Sequence, residues 1–182
     1  MADLIQASEL AADRFERHVA DKASLFRALV EESLAPLQEH IDASRPQAAS
    51  FEVLLRSTCI RALQEIRSEP ELFGMMLRNE SALRAIFEDD IVGLMLRPLH
   101  DDLREAVRNG ALPPIDADML MTIMIRAADV PCRLMAEQPS HDAQPMAAEI
   151  GRQFTHAIDA LQAATQTPMI RIGSRKLRGA AR

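Results

Sequence analysis

The stretch "KASLFRALVEESLAPLQEHID", residues 22–42, decides the fold class. Leu25, Phe26, Leu29, Val30, Leu34, Leu37 and Ile41 recur at three- and four-residue spacing, which puts them on one face of a helix. Asp21 precedes the run, where a carboxylate can accept from the free N–H groups of a first helical turn. Pro36 lacks the N–H that a helix interior uses, and predicts a kink.

The same spacing extends outward from this stretch. After the loop "ASRPQAAS", a second long helix is predicted, with Phe51, Leu54, Leu55, Thr58, Cys59, Ala62, Leu63 and Ile66 facing inward. "SEPELFGMMLRN" fits a short helix over 70–78, started by Pro70. Residues 80–110 read as one long or broken helix, weakened at Asp89–Asp90 and at Pro98 and stopped by Gly110. "ALPPID" is a stiff link whose Asp116 can cap a helix over 116–137. A last helix over 142–163 follows, set apart by the prolines of "QPSHDAQP". No internal repeat is visible. With 48% hydrophobic and 26% charged residues, six Gly and no Trp or Tyr, the composition is that of an all-α helical bundle.

No apolar run reaches the roughly 18–20 residues a membrane-spanning helix needs. No basic start followed by an apolar block marks a secretory leader. Cys59 and Cys132 stand far apart outside any CxxC pattern, as expected of two reduced thiols in a cytoplasmic protein. Residues 167–182 hold five basic residues and no acid, so the rest of the chain carries −11 against −6 for the whole. Residues 165–182 are read as a solvated, disordered tail, with a phosphate-contacting arm as the alternative.

Catalytic constellations are missing from the sequence. There is no GxGxxG, no GxxxxGK[ST] and no GxSxG. The five His lie outside HExxH, and none has a Glu three residues before it. Neighbouring helix positions point apart, so His100-Asp101-Asp102 reads as a solvated face. The chain is therefore expected to be no enzyme, and to need neither cofactor nor metal.

Two features suggest binding. Helix 116–137 is apolar over more than one face, through Met119, Leu120, Met121, Ile123, Met124, Ile125, Val130, Leu134 and Met135. The excess serves either a central position in a monomer or an isologous pairing with a second copy, with Met124, Val130, Leu134 and Phe154 in the interface. Arg126 and Asp129 within it need partners: each other, the second copy, or a polar ligand. Phe73, Met76, Phe87, Met95, Met121 and Arg126 could line a permissive pocket, since methionine fills irregular space, or could be ordinary core.

Residues 2–26, "ADLIQASELAADRFERHVADKASLF", resemble without a gap the second half of the DNA-binding domain of the TetR/AcrR transcriptional regulators. Ala2, Asp3, Leu4 and Ala7 match the first helix of the helix-turn-helix. Leu10 falls at the apolar turn position, Phe15 at the recognition helix's core position, and His18, Lys22, Leu25 and Phe26 at the junction with the connecting helix.

The resemblance implies a partial helix-turn-helix over 1–21 and a ligand-binding and dimerisation domain over 22–164. It implies a homodimer that reads operator DNA, with Arg14, Arg17, His18 and Lys22 facing phosphate. It also implies a small apolar or amphipathic ligand. In the family another helix precedes residue 2, so the DNA-binding domain is expected to be truncated or degenerate at its N-terminus. Glu9 stands at a turn position where the family has Gly, Glu16 replaces its Tyr, and residues 1–22 sum to −2, a sign that phosphate repels. A dimer of this descent that binds a small molecule or protein but not DNA is the second reading.

Overall fold

The computed structural model describes residues 22–166, and no strand occurs among them. The elements are α1 (Lys22–Ser44), a 3-10 turn (Arg45–Gln47), α2 (Phe51–Ser68), α3 (Pro70–Arg78), α4 (Glu80–Phe87), α5 (Ile91–Leu96), a 3-10 turn (Arg97–Leu99), α6 (His100–Arg108), α7 (Ala117–Glu137) and α8 (Ala143–Gln166). The all-α expectation holds for this part of the chain. None of these helices is long and apolar enough to cross a membrane. The expected helix-turn-helix over 1–21, with Asp21 as cap, and the expected tail beyond Gln166 lie outside the described residues.

Each boundary has a local cause. The Ser50 hydroxyl accepts from the Val53 N–H at 3.3 Å and starts α2, and Asp116 accepts from the Met119 N–H at 2.9 Å and starts α7. Pro70 opens α3, where its missing N–H costs nothing. The 80–110 stretch is broken. Glu88 takes a left-handed φ of 61°, ending α4, and Asp90 then caps α5. Gly110 has φ 78°, a conformation that glycine adopts without strain, and it lets the chain leave α6. Pro36 and Pro131 sit inside α1 and α7 without ending either helix.

One core joins all the helices. α2 lies at its centre, against α1 on one side and against α7 and α8 on others, while α7 also meets α3, α5 and α6. Leu55, Leu63, Ile66, Met76, Leu83, Leu99, Leu103, Leu120 and Phe154 are sealed inside. Each such side chain contributes about 1.5–3 kcal/mol by leaving water. The Phe51 and Phe154 rings, 5.5 Å apart, hold α8 on the start of α2.

Candidate functional site

α1 rests on α2 but leaves a groove open on each flank. The more apolar groove has one wall of Val30, Leu34, Leu37 and Ile41 from α1. Phe87, Leu94, Met95 and Pro98 form the opposite wall, with Glu31, Ala35 and Gln38 completing a volume of about 380 Å³. Phe87 stands there because the left-handed Glu88 turns the chain immediately after it. The Arg27 guanidinium lies 5.0 Å from the Phe87 ring centre, and its Nη2 donates to the Ile86 carbonyl at 3.0 Å. The groove on the other flank, about 280 Å³, takes Leu29, Pro36, Leu72 and the edge of Phe73, with Glu32, Glu65 and Glu69 around them.

Behind the first groove lies a buried ionic junction. Asp90 is only 5% exposed. Its Oδ1 accepts the Gly93 N–H at 2.9 Å, and its Oδ2 accepts from Arg84 at 2.9 Å and from Arg126 at 3.3 Å. Charge-assisted bonds from three elements offset the cost of removing this carboxylate from water. The neighbouring Asp89 accepts from Arg97 at 2.6 Å and closes over α5. A Cβ on Gly93 would stand 2.0 Å from Asp89 Oδ1, so this position takes only glycine without displacing Asp89.

The predicted pocket residues separate. Phe87 and Met95 do line one cavity. Met76 and Met121 are core, at 0% and 4% exposure, and Phe73 is core apart from its edge. Methionine fills the interior here and leaves little space: the void between Cys59, Met95, Cys132 and Ile150 measures about 10 Å³, the room of one water. Arg126 sits apart from the groove, its side chain 61% exposed and its charge on Asp90. Asp129 pairs with Arg133 at 3.0 Å, so the Arg126–Asp129 pair does not form. Arg133 also reaches Glu80.

The interface residues separate in the same way. Met124 and Phe154 are 1% and 2% exposed within the single chain, so they belong to its own core and have no surface to offer a partner. Val130 is 68% exposed and Leu134 half-buried, and with Met119 and Ile123 they form an outward stripe on α7. Arg126 interrupts that stripe. On α8, Gly151 faces open space, with no atom within 4 Å of where a Cβ would stand.

The remaining polar groups have structural partners. His100 Nε2 lies 2.8 Å from Asp118 Oδ1, which also accepts from Arg104. Those two partners, Arg104 foremost, hold the Asp118 carboxyl below its ordinary value of 3.8. Asp102 and Asp42 take the Arg45 guanidinium. Burial pushes the Cys59 thiol up to about 12 and raises Cys132 as well. Among the described residues, no three His, Cys, Asp or Glu are grouped to hold a metal ion. Lys22 is the exposed first residue of α1, and Arg14, Arg17 and His18 lie outside the described residues.

A larger hollow of about 700 Å³ separates α3 from the end of α7, but its lining is more polar, with two acids, Glu71 and Glu137, and two bases, Arg78 and Arg133. The α1 groove has the more apolar lining of the two. The core-facing stripe expected on this helix holds, with Val30, Leu37 and Ile41 buried, and only Leu34 is partly exposed at the groove. Comparison with family models, with curated proteins and with solved structures gave no match to this chain.

Proposed function

We propose that this chain is a ligand-responsive, homodimeric transcriptional regulator of TetR type, cytoplasmic and without catalytic activity. One observation carries the reading: α1 begins within the TetR-like stretch 2–26 and also forms a wall of the α1 groove. A small apolar or amphipathic molecule entering that groove must move α1 against Phe87 and Met95, and so reorient what precedes Lys22. Residues 11–22 are the DNA-contacting segment, with Arg14, Arg17, His18 and Lys22 on phosphate. The α7 stripe and the Gly151 side of α8 support an isologous helix-pair interface.

DNA binding to the gene's own upstream sequence, measured against salt, tests this. Specific binding that falls steeply with salt, and falls further in Arg17→Ala and Lys22→Ala, is expected. The net −2 of residues 1–22 supports the second reading, a dimer that binds a small molecule or protein without DNA. Salt-insensitive or absent DNA binding by a dimeric protein would select it.

A further inference from the structure

The chain has two cysteines, far apart in sequence, and the fold brings both to one small void. Cys59 borders it from α2 and Cys132 from α7, while Met95 borders it from α5. Ala62 and Ala128, one turn away from the two cysteines on the same helix faces, are small and leave the space open. Burial is the main cause that raises the Cys132 thiol, and the nearby Cys59 is the next. The two sulfurs are therefore close enough to feel each other's charge.

The lining decides what can occupy the void. Its volume of about 10 Å³ has room for one water or one ion. A water would need two to four polar partners, and apart from the three sulfur side chains the lining side chains are aliphatic. Ca²⁺ and Mg²⁺ need oxygen ligands, which the lining side chains do not offer. Zn²⁺ takes four ligands from Cys, His or carboxylate, and only two are present. Two thiols and a thioether make a wholly soft donor set, the kind that selects Cu(I).

We propose that Cys59, Cys132 and Met95 form a three-sulfur site for one Cu(I) ion at the junction of α2, α5 and α7. On coordination each thiol releases its proton to solvent and binds as thiolate, while the thioether binds unchanged. The site does not depend on the regulator reading.

Anaerobic titration of the reduced chain with Cu(I), in competition with the chromogenic chelator bicinchoninate, tests the proposal. One ion per chain should bind. X-ray absorption at the copper edge should show three sulfur neighbours and neither nitrogen nor oxygen. In methyl-labelled methionine spectra the Met95 signal should shift. The half-exposed Met119, roughly 20 Å from Cys132 along α7, should stay in place. Cys59→Ala and Cys132→Ala should each weaken binding at least a hundredfold. Met95→Leu, which conserves volume, should weaken it about tenfold and leave two sulfurs on the copper.

Absence of uptake in the competition would leave the cysteines as small core residues and overturn the proposal. Uptake that survives replacement of both cysteines, nitrogen or oxygen at the copper, or an unmoved Met95 signal would each overturn it as well. Should an alanine variant not fold, the copper edge and the Met95 signal of the wild-type chain decide.

Discussion

Asp90 shows how one residue can hold several helices in place. It caps α5, and it gathers Arg84 from α4 and Arg126 from α7. Asp90→Ala would strand the Gly93 N–H and both guanidinium groups. Because the arginines are half exposed and water can replace their partner, we expect a loss of about 2–3 kcal/mol in urea unfolding. Asp90→Asn, which keeps the cap, should cost less. Asp118 gives a pH test. Its carboxyl is held below the ordinary value in the folded state, so its contribution is complete above about pH 4 and is lost as pH falls through the folded value. Wild type should therefore melt higher than Asp118→Asn at pH 7, and the difference should shrink as the pH is lowered through the acid range. The two cysteines should resist a thiol reagent at pH 8 in the native protein, and both should react in denaturant, because only a thiolate attacks. In the sequence, Asp89–Asp90 is legible as a break in a helix. The meeting of Asp90 with an arginine 36 positions later is not, since no local spacing encodes it.

At the level of elements, helix starts and stops are written in short-range chemistry and were legible. Pro70, Asp116 and Gly110 act where their side chains and backbone preferences say they should, while the Ser50 cap of α2 was not singled out. The outward side of α7 was harder to read. Periodicity fixes the angles between residues of one helix, but α7 has neighbours on several sides, and only their positions tell Met124 from Val130. The two residues therefore predict opposite outcomes. Met124→Asp buries a charge in the core and should prevent folding. Val130→Glu should preserve helicity and melting in the protomer while converting the proposed dimer to monomer by light scattering. A dimer that persists in Val130→Glu places the contact elsewhere. Gly151→Ala adds a methyl to open space on a helix, so propensity alone should stabilise the protomer by about 0.5–1 kcal/mol. Reduced association at higher protomer stability would mark Gly151 as a point of close approach between copies.

For the whole molecule, the sequence conveyed the balance of charge and the number of long helices. It could not convey that α1 would have grooves on both flanks, because an apolar face looks the same whether or not it is fully covered. That arrangement has a mechanical consequence. α1 is propped near its two ends, by Arg27 against the end of α4 and, just past its last turn, by Arg45 against α6. Between these supports it spans two hollows, and near mid-span Pro36 removes one rung of its hydrogen-bond ladder. Between those props the helix is not free: Val30, Leu37 and Ile41 key it into the core and His40 meets Ser57 of α2 at 2.8 Å. Only the Leu34 side is left slack, so α1 behaves as a lath nailed along one edge, able to roll slightly about its buried seam rather than to bow.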